Sequence, residues 1–500
     1  MNKQNLIQSI TFGESIAEQE SEKLKNYFFK TEFWNLVRNG TTDIIYGAKG
    51  AGKSALYTSI VNDTDALFDE GILVSLAENP TGNTAFSNLK NDPPTSETQF
   101  VRLWKLYFLV ITANEFNKYE INDKSALQVL EILRDCNLVP AQNKLSGFLK
   151  VCMDFVRSIQ NGKEFSTTAE FDSMGMYSGQ KFSISFGEPS KSDFDKGLVS
   201  IEYAHDLLQK SLLENKIKLW IIIDRLDVAF TESEELETNA LRALFKAYLD
   251  LVPYSEIKFK IFLRDDIWDK INNGGFREAS HITKYQNLRW SKESLLNLLI
   301  RRIIDNSELV TFLNINKEDT LSNFSKQENL FYTLFPKQID VGTRKSNTLD
   351  WILSRTKDGK GINTPRELVQ LLKHAREIEL KSLENGINDL TDNLIISKQS
   401  FKKAVDLVSR QRMEQTIYAE FPTLKEYMEA LRKDKAEHSI DTLSIKWSKS
   451  KEETFEIAKN LQKIGFFEEK GERPNLRFKI PFIYRPFLQI TQGAANSDIE

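Results

Sequence analysis

The sequence predicts an α/β fold: a parallel sheet, a helical insertion within it, a helical region after it and a winged-helix-like C-terminal domain. Three observations carry that prediction. A short apolar run, Asp43–Tyr46, enters a glycine-rich turn that opens into a helix and a second apolar run, Ile72–Leu76. A longer apolar run, Leu219–Ile223, ends abruptly in Asp224. Late in the chain, Leu461–Ile480 reads as a helix, a turn and an alternating strand.

Taken in order, residues 14–39 read as a charged, then aromatic helix carrying Tyr27, Phe28, Phe29, Phe33 and Trp34. Lys53 to about Asn62 suits a helix, and the breakers Pro80, Gly82, Pro93 and Pro94 mark a loop. From 96 to 160, Phe100, Leu103, Trp104, Tyr107, Phe108 and Ile111 fall at helical spacing. Residues 160–198 are polar, with one alternating stretch, Gln180–Phe186, that suits a hairpin arm. The sheet resumes at Lys218–Asp224, followed by a helix over about 235–252, a strand at Lys258–Leu263 and a last strand near Ile282–Trp290. Ser291–Ile304 starts a helical region. The expected division is a core of 1–95 and 216–306, an insertion of 96–215, a helical lid of 307–390, a C-terminal domain of 391–490 and a disordered tail of 491–500.

Composition bounds the function. The 500 residues carry 67 Lys+Arg against 71 Asp+Glu, which excludes a polybasic nucleic-acid binder but leaves a local basic face open. Two cysteines, Cys136 and Cys152, exclude a disulfide framework and a cysteine-based zinc site. Four scattered histidines argue against a histidine metal cluster. The first residues lack the apolar stretch of a signal peptide, and no apolar run approaches a membrane span. The expectation is a soluble, cytoplasmic protein with no membrane partner.

The glycine-rich turn carries the chemistry. Gly47-Ala48-Lys49-Gly50-Ala51-Gly52-Lys53-Ser54, followed by Ala55, fits the phosphate-binding pattern G-x-x-x-x-G-K-[ST]. The glycines let backbone N–H groups turn inward around a phosphate, and the helix that follows adds its positive end. Lys53 can reach the β- and γ-phosphates of ATP, and the Ser54 hydroxyl can ligate Mg²⁺. Such a loop needs an aspartate at a neighbouring strand end on the magnesium side, and Asp224 fills that place. Arg225 follows it where hydrolysing ATPases often carry an acid, so Asp227 is either a water-orienting residue or only a helix start.

Three arginines are further candidates. Arg264 ends the strand Lys258–Leu263, where a cation senses the γ-phosphate; the alternative is a salt bridge to Asp265 or Asp266. Arg366 follows Thr364 and Pro365, the cap and first position of a helix, and either reaches a nucleotide or faces solvent. Arg277 lies where ring-forming ATPases present an arginine to a neighbouring subunit, or is an ordinary surface residue.

The order of these motifs resembles the AAA+/STAND group of P-loop ATPases, and within it a bacterial family related to the ORC/Cdc6-like and KAP-type NTPases. Phe262-Leu-Arg264-Asp-Asp-Ile-Trp268 and Leu288-Arg-Trp290 resemble that family's signature after the Asp224 strand. The resemblance covers about residues 12–383 without the insertion. It implies an ATP-driven switch, slow if Arg225 displaces the general base, that oligomerises or engages a partner effector protein, in a group often linked to anti-phage defence.

Residues 398–487 carry 19 basic against 14 acidic side chains. Arg473, Arg477 and Lys479 alternate with Leu476, Phe478 and Ile480 on a strand similar to the wing of a winged helix. They suit phosphate contacts to DNA, or else a solvated face, since Glu468, Glu469 and Glu472 share the turn. DNA loading and a non-hydrolysing ATP scaffold stand as the alternatives to the switch.

Overall fold

The computed structural model describes residues 3–495 apart from 15–19, 21–31, 80–83, 87–92, 95, 140–143, 161–168, 172–176, 227–233, 274–275, 392 and 473–474. The chain divides into two compact units, one of Glu32–Gly47 and Leu56–Asn287, the other of Met1–Thr31, Ala48–Ala55 and Leu288–Glu500.

The first unit is built on five strands: β1 (Ile44–Gly47), β2 (Ile72–Leu76), β3 (Lys218–Ile223), β4 (Ile257–Arg264) and β5 (Tyr285–Asn287). Their order is β2-β3-β4-β1-β5, and every pairing is parallel. Leu219–Ile223 is buried throughout, as a strand covered on both faces must be, and this is why it reads as an unbroken apolar run. Because the strands are parallel, the residues that follow them emerge at one edge. Gly47, Asp224 and Arg264 share that edge, with Gly47 in register with Arg264. In open α/β sheets this is the ligand-binding edge. The β4 strand lies between β1 and β3, an order that nothing in the linear sequence dictates.

The helix Glu97–Lys118 buries all six of the apolar residues that predicted it. Ser96 caps it by accepting from the Gln99 N–H. Trp104 Nε1 donates to the Ala240 carbonyl at 3.0 Å, tying this helix to Glu234–Leu251. Helices Lys124–Asp135, Leu145–Gln160 and Ile201–Glu214 share one continuous apolar core with the sheet, so the insertion is packed into the same body as β1–β5. The alternating stretch Gln180–Phe186 is not one hairpin arm. Tyr177–Gln180 pairs antiparallel with Ala169–Phe171, while Ser183–Ser185 pairs parallel with Leu198–Ser200. Of the helix expected over 14–39, Glu32–Arg38 is helical, and Tyr27, Phe28 and Phe29 lie outside the described residues.

In the second unit, Leu6, Ile7, Ile10 and Phe12 share a core with helices Lys292–Ile304, Phe324–Leu334 and Pro365–Glu384. Arg376 donates to the carbonyls of Ile7 and Gln8, at 2.9 and 2.6 Å. The expected grouping of residues 1–95 with the sheet therefore separates here: the N-terminal residues pack on the helices that follow the sheet in sequence.

The C-terminal part carries β6 (Lys435–His438), β7 (Glu468–Lys470), β8 (Arg477–Lys479) and β9 (Thr491–Ala494), in the order β7-β8-β6-β9. Helices Ile440–Trp447 and Lys451–Lys463 lie between β6 and β7 in sequence, and β8 pairs antiparallel with both β6 and β7, the arrangement of a winged helix. Both helices begin with a reciprocal cap, Ser439 with Thr442 and Ser450 with Glu453. Of the tail expected to fray from residue 491, Thr491–Ala494 instead form β9, parallel to β6, and 496–500 lie outside the described residues. The Thr491 N–H donates to the Asp434 carbonyl at 2.8 Å, and Arg485 donates to Gln492 at 2.6 Å. Edge pairing needs only backbone groups, so the small polar side chains there gave no sign of it. No described helix is long and apolar enough to cross a membrane.

Candidate functional site

The phosphate-loop glycines are required by their backbone. Gly50 has φ +85° and Gly52 φ +101°, the region in which side chains are strained. At Gly50 a Cβ would also stand 2.9 Å from Arg366 Cβ and 3.0 Å from Thr364 Oγ1. The loop and the start of helix Pro365–Glu384 thus touch with no room for a methyl group. Trp290 Nε1 donates to the Ala51 carbonyl at 2.7 Å, and its ring lies beside Gly52. Lys53 reaches back across the loop, its Nζ donating to the Ala48 carbonyl at 3.0 Å. Lys53, Ser54 and Ala55 form the first turn of helix Lys53–Asn62, whose positive end favours an anion. Lys49 is ion-paired with Glu420.

Arg366 is the second residue of its helix, with Thr364 at the cap position and Pro365 at the first helical position. Its Nε is buried and has no hydrogen-bond partner among the described residues. An unpaired buried guanidinium N–H costs stability and is satisfied by an acceptor brought to it. The Thr364 hydroxyl does not cap its helix; it donates to the Glu367 carboxylate. The other Glu367 oxygen accepts from Arg412 at 2.8 Å. Burial opposes the charge on Arg412, yet Glu367, Tyr484 and Asp358 together hold its pKa above the usual arginine range.

At the strand edge of the sheet unit, Asp224 is buried directly after β3. Arg225 has φ +59°, an outlying conformation for so bulky a residue, and its guanidinium donates to the Asn79 carbonyl at a long 3.4 Å. Beside Asp224 lies Glu78, which the sequence reading missed. The β2–β3 register, Leu76 opposite Ile222, brings Glu78 abreast of Asp224. Glu78 is fully buried and accepts from the Asn79 N–H, the Thr84 hydroxyl and the Ala85 N–H at 2.6–2.8 Å. Burial raises its pKa against those three donors. Tyr57 donates to the Glu78 carbonyl at 2.7 Å, and burial with the nearby Asp224 charge pushes its hydroxyl pKa up. The available signal was the one used for Asp224: an acid just after an apolar strand.

The Arg264 guanidinium forms a bidentate pair with Asp266, at 2.9 and 2.8 Å, the salt bridge held open as its alternative. Arg277 is exposed at the start of a 3₁₀ turn, Arg277–His281. Asp227 and Arg473 lie outside the described residues. In the winged-helix part, Lys479 pairs with Glu468 and Lys470 with Glu437, both at 3.5 Å, and Lys459 pairs with Glu469 at 2.5 Å. Carboxylates therefore interleave with its cations. Among the described residues no group of three or more His, Cys, Asp or Glu side chains gathers as a metal site.

No family model matches this chain, and no curated protein matches it. Similar solved structures include the Aeropyrum pernix ORC2 protein in ADPNP–ADP complexes, at 14% identity over 92% of this chain and 88% of that one, with a TM-score of 0.29. The ADP form of the same protein is 12% identical over 93% and 91%, with a TM-score of 0.30. The Aeropyrum pernix ORC1 protein in complex with DNA is 10% identical over 90% and 86%, with a TM-score of 0.33. The fold class rests on the chain's own features: a parallel sheet in the order β2-β3-β4-β1-β5, a phosphate-loop motif after β1 and a winged-helix-like C-terminal part.

Proposed function

We propose that this chain is a magnesium-dependent P-loop ATPase that works as a nucleotide-driven switch, oligomerising or engaging a partner protein when ATP is bound. Three features at one loop support the reading: the two left-handed glycines, the lysine lying across the loop and the buried, unpartnered Arg366 Nε beside Gly50 all suit a polyphosphate. Backbone N–H groups of Gly47–Ala55 hold the phosphates, and Lys53 exchanges the Ala48 carbonyl for phosphate oxygens. Ser54 supplies the hydroxyl and Asp224 the carboxylate for a magnesium ion, which when bound neutralises the β- and γ-phosphate oxygens.

Arg366 is the γ-phosphate reader that the contacts favour. Arg264 serves only by giving up Asp266. Arg277 is offered to a neighbouring subunit, and Asp227 orients water. Hydrolysis is slow, because Arg225 rather than an acid follows Asp224. The resemblance to defence-linked ATPases extends the proposal to anti-phage defence. The paired cations of the winged helix favour protein over DNA as its partner; salt-sensitive duplex binding lost in Arg477→Glu would reverse that preference.

Calorimetry with Mg-ATP and a phosphate-release assay test the reading. Binding and turnover are expected in the intact chain. Lys53→Ala should abolish both, and Asp224→Ala should cut turnover by roughly 100-fold. A folded protein that binds no ATP ends this proposal. Sustained binding without phosphate release leaves a scaffold in place of an ATPase. Mass photometry with and without ATP reads the switch directly.

A further inference from the structure

Helix Pro365–Glu384 does not hold its own first turn by the usual means. Its cap, Thr364, makes no side-chain bond to a helix amide and spends its hydroxyl on Glu367. Glu367 is 2% exposed, and its second oxygen is taken by Arg412, the last residue of helix Lys398–Arg412. The pair spans 45 residues and is buried on both sides, so neither charge has water to fall back on. Arg412 also lies near the Tyr484 hydroxyl and the Asp358 carboxylate, so the cluster joins the start of one helix to the end of another and to the C-terminal turn Phe482–Tyr484.

What this cluster fixes is the backbone of residues 364–367, and that backbone sets Arg366 against Gly50. A guanidinium that reads a phosphate must be held to within about half an ångström by groups that are themselves locked. The same C-terminal segment reaches the loop a second time. Beyond Arg412 the chain makes a π-helical turn, Met413–Ile417, and a short helix ending in Glu420, which pairs with Lys49. π turns inside helices are frequent at functional sites.

We propose that Arg412 is a positioning residue for nucleotide recognition: through Glu367 and Thr364 it holds Arg366 against the phosphate loop, so that the C-terminal part of the chain sets the preference for ATP over ADP. The inference rests on the nucleotide reading above. Arg412 touches no phosphate; it acts through Glu367. Because Arg366 serves the γ-phosphate, loss of the brace weakens ATP more than ADP.

The test is the ratio of ATP to ADP affinity, measured by calorimetry on the full chain. Arg412→Met and Arg366→Met should each lower that ratio roughly tenfold. The double variant should lower it no further, since one residue acts through the other. Arg412→Lys should restore part of it, and Glu367→Gln should reproduce the loss with little change of shape. Arg302→Met, which breaks the buried Arg302–Glu20 pair, is the matched control: it should destabilise the fold and leave the ratio unchanged. If Arg412→Met does not fold, Glu367→Gln carries the same comparison. A folded Arg412→Met or Glu367→Gln variant with an unchanged ratio, beside an Arg366→Met that lowers it, overturns the positioning role and leaves the nucleotide reading intact. Absence of ATP binding in the unmodified chain overturns both.

Discussion

Among the described residues, the two units differ in buried arginine–carboxylate pairs, which only the second holds. In the sheet unit, buried ionisable groups are held mostly by nearby backbone or local donors. Lys260 donates to the Thr42 carbonyl at 2.6 Å and faces Asp43 at 3.6 Å, His205 meets the Lys105 carbonyl at 3.3 Å, and Glu78 takes three donors from the residues just after it. The other unit holds Asp358, Glu379 and His438 on backbone groups in the same way, and adds two buried arginine–carboxylate pairs: Arg302 with Glu20, 282 residues apart, and Arg412 with Glu367. The difference teaches where each unit is vulnerable. A group with backbone partners responds to pH, because its own ionisation is what burial perturbs. A buried ion pair responds to loss of either member, because the survivor is left charged and unsolvated.

The largest effect should come from breaking such a pair. Arg302→Met leaves Glu20 without its bidentate partner and should cost about 3–5 kcal/mol of stability, read as a drop in thermal or denaturant midpoint. A loss under about 1 kcal/mol would erase the contrast between the units.

The sheet unit should instead show an acid dependence set by His205. Burial lowers its pKa from 6.5 to about 4. The unfolded chain therefore takes up a proton first as the pH falls, so the contribution is present above pH 6.5 and is lost between 6.5 and 4. Its size is up to about 3 kcal/mol. Denaturant melts across that range should flatten in His205→Asn; an unchanged slope would assign the acid loss to other groups.

The smallest effect concerns the half-buried Lys49 end of the loop. Glu420→Gln removes a carboxylate from Lys49 and should tighten Mg-ATP binding by only about two- to fivefold, with the gain shrinking at high salt. Weaker binding would mean that Glu420 shapes the loop rather than opposing the phosphates.

Much of the sheet unit is legible in the sequence, for a physical reason. Ile72–Leu76 and Leu219–Ile223 are strands because a strand buried on both faces must be apolar without interruption, and their ends are marked by Glu78 and Asp224, where polar groups become tolerable. The phosphate loop is legible because left-handed φ and a close neighbour both demand glycine at position 50. Strand β9 is not legible, because backbone pairing leaves no trace in Thr491–Ala494. Nor are Arg412, Glu367 and Glu420, each an ordinary charged residue on a helix until its partner is known.

The sequence by itself determined the chemistry on offer: a phosphate loop, a strand-end aspartate and a few arginines, all fixed by local rules of backbone freedom and apolar burial. Only the tertiary structure gave those arginines their partners. It set Arg264 on Asp266, Arg366 against Gly50 and Arg412 on Glu367. Arg264 finds its carboxylate two residues on, but Arg412 and Glu367 are brought together from 45 residues apart, and burial makes that choice costly to reverse.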